Sequence, residues 1–510
     1  MLSTDSHGSN LTCNLSYAHT TYRKIFIKPK KSKSTMAQEQ GITVKKEDNM
    51  AEWYSQVVLK SEVADYAPVR GCMVIRPLGY SIWQNIVDFL DKRIKGLGVS
   101  NAYFPSFIPE SFFKREAEHA KGFSPEVAWV QNKDEDSKER LALRPTSETI
   151  MYDSYSKWIR SWRDLPLRIN QWCNIVRWEV KDVKMFLRSR EFLWQEGHCV
   201  YETEEECHNE TLLYLEQYRA LLEELLAIPV IVGKKTEKEK FAGAKRTYTI
   251  EGFMPDGKAL QLGTSHDLGQ GFAKSFDISY IGKDEKPHIP WQNSWGLSTR
   301  TIGGLIMLHS DNKGLVLPPR IAPIKVVVVP IIFKGKEDIV MKSAREIVKK
   351  LDCKLDDREG YSSGWKFNEW EMKGVPIRIE IGPRDIKKNQ AVLVRRDTAE
   401  KMFMKLDSLK ETVNSTLEDI QKNLFDKAKE QLDSSITQTE DWNEFLKLIE
   451  ERKIVKTYFC GDVDCENQIK EETVGATSRC IPMDAEEPNN KKCVHCKKTA
   501  KLELFFSKNY

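Results

Sequence analysis

The chain has 510 residues, which is too long for a single hydrophobic core, so about three domains are expected. Its 40% hydrophobic and 30% charged residues are ordinary for a globular protein, and the net charge of +4 gives no sign of nucleic-acid binding, although a basic face can exist within a balanced total. No apolar run approaches the roughly 20 residues of a membrane span. We therefore expect no membrane partner. Most of the 11 cysteines are isolated, which fits a reducing compartment and predicts a cytoplasmic location.

Residues 1–48 are predicted to form a disordered N-terminal extension. The first 33 residues are rich in Ser, Thr and Asn, hold one acid, Asp5, and end in lysines, a composition that cannot support a packed core. A transit peptide shares the lack of acids, but arginine is nearly absent here. Met36 could also be the true start. Folded sequence is expected to begin near Asn49.

The first folded elements follow from apolar spacing. Residues 81–97 carry apolar side chains at helical intervals, and residues 99–105 predict a strand that ends at a proline. Residues 141–148 predict a short strand, then Thr146 or Ser147 as the N-cap of a helix, with Glu148 in its first turn. Alternatively, Thr146 and Glu148 face a pocket and receive a substrate cation or N–H.

Residues 177–198 have the pattern of a hairpin with charged side chains on one face. Arg177 and Glu179 precede a lysine-rich turn, and Arg188 and Arg190 precede a second apolar run. One interpretation is a solvated hairpin with local ion pairs. The alternative is a site for a polyphosphate and a carboxylate, because the planar guanidinium fork donates two parallel hydrogen bonds to such groups.

Three further segments complete the first half of the chain. Residues 204–226 predict a leucine-rich helix, and residues 259–266 predict a strand leading into a turn, with Gln261, Thr264 and His266 within reach of one face. A lone histidine in this position is more often a hydrogen-bonded core residue than a catalyst. In residues 293–309, Arg300 opens an apolar helix beside glycines, which suggests close approach to a ligand.

From residue 324 the pattern becomes strand–helix–strand, which predicts an α/β domain with a mixed sheet. The predicted elements are strands at 326–333, 375–381 and 391–394 and helices at 338–351 and 405–432. Residues 358–370 combine aromatic rings with cations, which suits unpaired bases. A surface loop held by its aromatic side chains is the alternative.

Two close cysteine pairs near the C-terminus predict a structural zinc site. Four residues separate Cys460 from Cys465, and two separate Cys493 from Cys496. Pairs of this kind, joined by a spacer, are typical of four-cysteine zinc sites. Cys480 and His495 are possible substitute ligands. Such a closed site stabilises a fold and performs no catalysis.

Four motifs carry a resemblance to a known family. They are Arg-Pro-Thr-Ser-Glu at 144–148, Arg-Glu-Phe-Leu-Trp-Gln-Glu-Gly-His at 190–198, Gly-Thr-Ser-His at 263–266 and Trp-Gly-Leu-Ser-Thr-Arg at 295–300. The segments resemble the signature motifs of class II aminoacyl-tRNA synthetases, and their wording closely resembles the prolyl-tRNA synthetase family of the eukaryotic and archaeal type. The class I signatures and a Walker phosphate loop are absent from the sequence.

The resemblance covers about residues 49–510 and implies three domains. A class II catalytic domain of α+β type, with an antiparallel sheet, is expected at 49–322. An α/β anticodon-binding domain is expected at 323–404, and a small zinc-binding α+β domain at 405–510. The helix and strand within residues 81–105 would form a homodimer interface, and the terminal residue, Tyr510, is expected to dock toward the active site.

The resemblance also implies an ATP site formed by Arg177, Glu179, Arg188, Phe192, Gln261, Thr264 and Arg300. Arg177 would hold the α-phosphate together with the carboxylate of the amino acid, and Glu179 would contact the adenine amino group. Arg188 would bind the γ-phosphate, whereas Phe192 and Arg300 would lie on opposite faces of adenine. Mg²⁺ is expected on the phosphates, held largely by substrate oxygens and water.

L-Proline would be bound by Thr146, Glu148, Arg177, Trp194, His198, His266 and Ser294. The secondary ammonium of proline needs an anion and an acceptor, which Glu148 and Thr146 would supply. Its carboxylate would attack the α-phosphorus and release pyrophosphate, and the terminal hydroxyl of tRNA(Pro) would then attack the adenylate. We expect Arg177, Arg188 and Arg300 to act as catalytic charge stabilisers, with no protein nucleophile or general base.

The resemblance also bears on amino-acid selectivity and on alternative functions. A pocket for a small apolar ring disfavours a smaller side chain by only about 1–3 kcal/mol, so alanine should be activated in error. Only about 95 residues separate His198 from Ser294, so the editing insert of bacterial relatives is expected to be missing. One rival is a threonyl-type synthetase, which needs an active-site zinc that the central region does not provide. The other is a non-catalytic RNA-binding paralogue, which would have lost the motif arginines.

Overall fold

The computed structural model describes residues 41–119, 126–131 and 139–510. Three predictions concern the N-terminal extension: its disorder, a transit peptide and an alternative start at Met36. They fall mostly on residues that the structure does not describe. The first helix begins after Asn49, whose side chain accepts a hydrogen bond of 3.1 Å from the Glu52 N–H. Among the described helices, none is long and apolar enough to cross a membrane.

The first region contains seven α-helices in the described residues, α1 (Met50–Lys60), α2 (Pro77–Gly96), α3 (Glu110–His119), α4 (Glu148–Trp158), α5 (Glu204–Ala220), α6 (Gly271–Ser275) and α7 (Arg300–His309), and a 3-10 helix at Trp162–Asp164. The apolar spacing predicted for α2 is confirmed, because Ile82, Ile86, Leu90 and Ile94 are all buried on one side of the helix. Helix α5 continues as a π-helical turn, Leu221–Leu225. These helices pack on a large sheet.

The strands of this region are β1 (Ala64–Tyr66), β2 (Met73–Ile75), β3 (Ser100–Asn101), β4 (Phe107–Pro109), β5 (Trp129–Val130), β6 (Leu141–Leu143), β7 (Leu167–Val176), β8 (Glu191–Tyr201), β9 (Ile231–Lys234), β10 (Arg246–Phe253), β11 (Ala259–Gly269), β12 (Tyr280–Ile281), β13 (Pro287–His288) and β14 (Trp291–Ser298). Strands β9, β10, β11, β14, β8 and β7 lie side by side in that order, and each neighbouring pair is antiparallel. The predicted antiparallel catalytic sheet is therefore confirmed.

Strand β11 corrects one expectation. The sequence predicted a turn at 263–266, but the strand runs unbroken through these residues to Gly269. Backbone partners on both sides, β10 and β14, hold the segment extended. Gly263 is suited to this strand because a Cβ there would lie only 3.1 Å from the Tyr218 ring.

The second region is a five-stranded mixed sheet, ordered β16-β15-β17-β18-β19, with helices around it. Strand β15 is parallel to both its neighbours, and the remaining pairs are antiparallel. The elements are β15 (Val326–Pro330), α8 (Glu337–Leu351), β16 (Lys354–Leu355), α9 (Ser363–Met372), β17 (Ile377–Ile381), α10 (Pro383–Lys387), β18 (Gln390–Arg395), β19 (Lys401–Lys405) and α11 (Leu409–Ser435). The predicted α/β architecture is confirmed.

Helix α9 corrects the interpretation of residues 358–370 as a surface loop. Most of that stretch is helical, and Ser362 caps the helix by accepting from the Trp365 N–H at 3.2 Å. Arg358, before the helix, pairs with Asp356 and Glu369. The two tryptophans therefore lie on a helix, Tyr361 directly precedes it, and the pair of Arg358 with Glu369 ties the preceding loop to it.

The C-terminal region adds β20 (Ile436–Gln438), α12 (Trp442–Glu450), β21 (Ile454–Phe459), α13 (Val463–Glu472), β22 (Thr477–Pro482) and β23 (Leu502–Ser507). Strand β22 pairs with β9 of the first region, through Ile481 opposite Lys234. The catalytic sheet and the C-terminal strands thus form one sheet, which has eleven strands within the described residues.

Candidate active site

A cavity of about 360 Å³ opens over the large sheet. It is lined by twelve residues that the sequence assigned to the ATP and proline sites: Thr146, Glu148, Arg177, Glu179, Phe192, Trp194, His198, Gln261, Thr264, His266, Ser294 and Arg300. Arg188 is not among the lining residues. It lies in the β7–β8 connection, and its charge acts on Arg300.

Strand register explains how residues so far apart in the chain meet. His198 of β8 lies opposite Ser294 of β14, and Ser294 lies opposite His266 of β11. Residues opposite each other on neighbouring antiparallel strands project from the same face, so the three side chains form a row across the sheet. The antiparallel order of these three strands therefore builds one end of the cavity.

Arg177, Arg188 and Arg300, here called the motif arginines, are close enough for their charges to act on one another. Burial, followed by the charges of Arg177 and Arg188, lowers the pKa of Arg300 to about 10. The Arg300 Nε donates to the Leu187 carbonyl at 3.1 Å and its Nη1 to the Gln261 carbonyl at 3.2 Å. The repulsion among the three guanidinium groups favours an anionic ligand between them.

Arg177 and Arg188 are free to receive such a ligand. Arg177 lies over the rings of Phe192 and Trp194, at 5.6 and 5.8 Å from their centroids. Burial lowers the pKa of Arg177, and the nearby charges of Glu179 and Glu148 act in the opposite direction. Neither Arg177 nor Arg188 has a carboxylate within 4.0 Å in the described ranges.

Glu148 enters the cavity from the first residue of α4 and is buried. The Thr146 hydroxyl donates a hydrogen bond to its carboxylate. This contact leaves the lone pairs of Thr146 available to accept from a ligand. A hydroxyl acceptor and a buried anion therefore lie side by side, as the alternative interpretation of 141–148 predicted.

The predicted N-cap position at Ser147 is confirmed, but the predicted side-chain hydrogen bond to the helix backbone is wrong. Ser147 occupies the N-cap position but makes no side-chain capping bond. Its N–H donates instead to the Glu196 carboxylate at 3.2 Å, and its hydroxyl accepts from Gln171 at 3.2 Å. A carboxylate from strand β8 thus helps to fix the start of the helix that carries Glu148.

Sequence reasoning missed Glu196, a buried residue of the cavity wall. Its carboxylate lies 3.1 Å from the His198 Nε2, and the His198 Nδ1 lies 3.0 Å from the Tyr152 hydroxyl. Burial opposes ionisation of Glu196, but the hydrogen bonds from His198, Ser147 and Gln171 bring its pKa below the ordinary value. The sequence feature that could have pointed to Glu196 is its place in a predicted strand beside Gly197 and His198.

This pair predicts a pH-dependent stability. The pKa of Glu196 in the folded chain lies below 4.5. The ionised carboxylate therefore stabilises the fold above pH 4.5, and this stabilisation is lost as the pH falls through the folded pKa. Burial lowers the pKa of His198, but Glu196 and Glu148 raise it above 6.5. Protonated His198 therefore stabilises the fold below pH 6.5, and this stabilisation is lost as the pH rises through the folded pKa. Glu196→Gln should therefore lose more thermal stability at about pH 5.5 than at about pH 9. An equal loss at both pH values would contradict the pairing.

His266 is held differently. Its Nδ1 lies 3.0 Å from the Thr247 hydroxyl, and its ring lies 4.7 Å from the Phe241 ring. Burial and the nearby His198 lower the pKa of His266 to about 3. It therefore contributes a neutral surface to the cavity and is also the hydrogen-bonded core residue that its setting predicted.

The cavity is also lined by Lys235, Glu239 and Phe241, which no sequence motif singled out. They lie in a run of lysines and glutamates that reads as an exposed loop. Lys235 is buried because its ammonium donates to Glu251, a partner that residue spacing does not indicate.

Three parts of the chain match known protein families. The description "tRNA synthetase class II core domain (G, H, P, S and T)" matches residues 129–309, "Anticodon binding domain" matches 325–416, and "Prolyl-tRNA synthetase, C-terminal" matches 442–510. Proline–tRNA ligase 2 of Clostridioides difficile is 51% identical over 91% of this chain and 97% of that protein. The proline–tRNA ligase of Alkaliphilus oremlandii is 53% identical over 91% of this chain and 97% of its own length.

The chain belongs to the prolyl-tRNA synthetase family. A crystal structure of prolyl-tRNA synthetase from Cryptosporidium parvum, complexed with halofuginone and AMPPNP, matches with a TM-score of 0.88 and 44% identity over 92% of this chain and 97% of that one. The family match decides against the threonyl-type alternative. Between β8 and β14 lie only α5, α6 and strands β9–β13, so the described prolyl-tRNA synthetase fold lacks an editing insert.

The four predicted cysteines of the prolyl-tRNA synthetase C-terminal region come together. The sulfur atoms of Cys460, Cys465, Cys493 and Cys496 all lie within 4.8 Å of one another. The Cys465–Cys493 and Cys460–Cys496 sulfur distances are 3.8 and 3.6 Å. A tetrahedron with Zn–S bonds of about 2.3 Å has edges of about 3.8 Å, so the cluster fits zinc.

The two substitute ligands differ in position. Cys480 is buried in a separate apolar cluster with Phe253 and Phe505, away from the four thiols. The His495 Nδ1 lies 3.3 Å from the Cys465 sulfur, and its Nε2 lies 3.0 Å from Glu472. His495 is therefore adjacent to a complete set of four cysteines, and we assign it no ligand role.

The terminal tyrosine, which the resemblance placed toward the active site, contacts the β7–β8 connection and does not line the cavity. The Tyr510 hydroxyl donates to Asp256 at 2.6 Å, and Lys184 lies 5.3 Å from the centre of the Tyr510 ring. Lys184 belongs to the β7–β8 connection that also carries Arg188. The end of the chain thus contacts the segment that delivers a motif arginine.

Proposed function

We propose that this member of the prolyl-tRNA synthetase family is a proline–tRNA ligase, which activates L-proline with ATP and transfers it from prolyl-adenylate to tRNA(Pro). The observation that carries the proposal is the meeting of Arg177, Arg300 and Glu148 around one cavity. Cations suited to a polyphosphate and a buried anion suited to an ammonium group therefore face the same space. The products would be AMP, diphosphate and charged tRNA.

The ATP end of the cavity is assigned to Arg177, Glu179, Arg188, Phe192, Gln261, Thr264 and Arg300. Phe192 offers a ring for adenine, and a guanidinium over the far face of the base would add roughly 0.5–2 kcal/mol. The AMPPNP named in the Cryptosporidium parvum structure supports ATP as the nucleotide. Mg²⁺ is proposed on the phosphates, because such sites draw most of their ligands from substrate and water.

The proline end is assigned to Thr146, Glu148, Arg177, Trp194, His198, His266 and Ser294. The secondary ammonium would donate to the buried Glu148 carboxylate and to the Thr146 hydroxyl. Because Glu196 holds both His198 and the start of α4, it would keep this end rigid. A rigid pocket of this size still admits alanine, since shape alone discriminates by only about 1–3 kcal/mol.

The reaction needs position and charge, and no protein nucleophile. The proline carboxylate, held against Arg177, would attack the α-phosphorus while Arg188 and Arg300 stabilise charge on the departing pyrophosphate. The tRNA hydroxyl would next attack the adenylate carbonyl. No general base is assigned.

Contact with tRNA is proposed through the second region, which matches the anticodon binding domain. Tyr361 and Trp365 stack with ring centres 4.1 Å apart, and Arg358 lies 5.2 Å from the Tyr361 ring. Tyr361 is half exposed. An exposed ring backed by a cation is suited to stacking an unpaired base.

Two further assignments complete the proposal. A homodimer is proposed because Tyr80 and Tyr103, beside and within the segment 81–105, and Tyr66 before it remain largely exposed, and exposed aromatic groups often mark an interface. A cytoplasmic location is proposed because the sequence's isolated cysteines suit a reducing compartment.

Zinc is proposed at the four-cysteine cluster, where it would stabilise the C-terminal region. Metal analysis should find one zinc per chain, and removal by a chelator should lower the unfolding temperature, because binding free energy at such sites is folding free energy. Cys493→Ser should lower both, whereas Cys353→Ser, in the second region, should change neither. A full zinc content in the Cys493→Ser variant would contradict the assignment.

The function is tested by charging. Purified chain, ATP and Mg²⁺ should attach labelled proline to tRNA(Pro) transcript and leave a threonine tRNA transcript uncharged with either amino acid. Charging of tRNA(Pro) should stop when proline is omitted. Folded protein that charges no tRNA would overturn the proposal.

A further inference from the structure

The C-terminal region reaches the wall of the cavity. Strand β22 pairs with β9, and directly after β9 the chain forms residues 235–241, here called the wall segment. Three of its side chains, those of Lys235, Glu239 and Phe241, line the cavity. The wall segment therefore lies between the C-terminal strands and the cavity.

A buried trio of charges joins the wall segment to the C-terminal region. The Lys235 Nζ donates to the Glu251 carboxylate at 2.7 Å and to the Arg479 carbonyl at 2.8 Å. The Arg479 Nη2 donates to the other oxygen of Glu251 at 2.7 Å. All three side chains are at most 5% exposed. Burial opposes the charge on Glu251, but Arg479 and Lys235 lower its pKa to about 2.

A second contact holds the next residue of the wall segment. The Thr236 hydroxyl lies 3.2 Å from the Ser478 hydroxyl and 3.5 Å from the Glu466 carboxylate. Ser478 also donates to Glu466 at 2.6 Å, and Glu466 follows Cys465 on helix α13. Two consecutive residues of the wall are thus held by residues of the C-terminal region.

Charge gives Arg479 a role beyond this attachment. The cavity is lined by four glutamates, Glu148, Glu179, Glu196 and Glu239, and by only three cations, Arg177, Lys235 and Arg300. Glu251 adds negative charge directly behind Lys235. Among the charges acting on Arg300, Glu251 and Arg479 have opposite effects, so both lie within electrostatic reach of the nucleotide end. Without Arg479, a polyphosphate would meet a more negative wall.

We propose that Arg479 is a positioning residue for nucleotide binding: its guanidinium neutralises Glu251, which together with the Arg479 carbonyl holds Lys235 in the cavity wall. Arg479 touches no substrate and acts through Glu251 and Lys235. The inference rests on the proposed function for the identity of the ligand, since ATP is the polyanion concerned.

Arg479→Met is the principal variant, because methionine keeps much of the buried volume and removes the charge. Arg396→Met is the matched control. Arg396 is buried and forms a double contact with Asp311, whose side chain is 47% exposed, at 2.7 and 2.6 Å between the second region and the first, and it does not line the cavity. Both variants lose an arginine–carboxylate pair between regions, so a general loss of stability affects both.

The readouts are the dissociation constant of AMPPNP by calorimetry and the KM values for ATP and proline in pyrophosphate exchange. Arg479→Met should weaken AMPPNP and raise the ATP KM about tenfold, the expected scale for an uncompensated charge near an anion, and change the proline KM less than about threefold. Arg396→Met should leave all three values unchanged. Adding Glu251→Gln to Arg479→Met should restore part of the affinity, because it removes the carboxylate that has lost its arginine partner.

The proposal is overturned if folded Arg479→Met binds AMPPNP as the unaltered chain does, or if Glu251→Gln worsens its affinity. Should Arg479→Met not fold, Arg479→Gln, which keeps hydrogen-bond donors without the charge, replaces it under the same criteria. The calorimetric arm needs no catalysis. If the unaltered chain binds AMPPNP but shows no exchange with proline, the proposed function fails while the role of Arg479 is still decided.

Discussion

Replacing Arg177 by alanine is expected to slow proline-dependent adenylate formation by roughly 100- to 1,000-fold, the usual cost of removing one preorganised charge stabiliser. Arg177 has no carboxylate partner within 4.0 Å in the described residues, and its guanidinium lies 5.6 and 5.8 Å from the ring centres of Phe192 and Trp194. It is therefore held for a ligand and contributes little to the fold. Single-turnover formation of adenylate measures the effect.

Two companion variants sharpen this test. Arg177→Lys should recover only part of the rate, because an ammonium keeps the charge but loses the planar fork. Arg219→Ala, on the exposed side of α5, removes an arginine paired with Glu223 and should leave the rate unchanged. A rate for Arg177→Ala within about threefold of the unaltered chain would remove Arg177 from the catalytic assignment.

Glu148→Gln is expected to raise the proline KM by about 100-fold or more, because an unpartnered buried charge costs about 3–5 kcal/mol. Glutamine preserves the shape of the side chain and can still accept from Thr146, but it offers no anion to a secondary ammonium. The ATP KM should change little. Proline and ATP titrations of pyrophosphate exchange separate the two effects.

Glu191→Gln is the matched control for this variant. Glu191 is an exposed carboxylate on the same strand as His198, and it accepts a hydrogen bond from Asn174 at 2.8 Å. Its replacement should leave both KM values unchanged. If Glu148→Gln raised the ATP and proline KM values equally, Glu148 would be supporting the cavity as a whole and would not be the proline anion.

The sequence motifs, together with the family resemblance, identified half of the residues that line the cavity, because these motifs lie on regular strands and on the first turns of helices. Arg300 was predicted to open an apolar helix and does so, and Arg177 was predicted at the start of a hairpin connection. Residues such as His198 and Ser294 could be grouped only through family resemblance. The antiparallel register that aligns them is a property of the assembled sheet.

The parts that sequence missed depend on contacts between distant segments. Glu196 resembles any strand glutamate until its partners, Ser147 and Gln171, are placed around it. Lys235 and Arg479 are 244 positions apart, and only the pairing of β22 with β9 brings them together. The turn predicted at Gly263–His266 failed for the same reason, since strands on both sides override the local preference for a turn.

The most direct test of the account is amino-acid-dependent exchange of pyrophosphate into ATP by the full chain without tRNA. Proline should support rapid exchange, alanine should support slow exchange, and threonine should support none above background. The Arg177→Ala and Glu148→Gln variants should lose the proline signal while remaining folded. Exchange that depends on threonine, or the absence of exchange with every amino acid from a folded, magnesium-supplied protein, would contradict the claim that this cavity makes prolyl-adenylate.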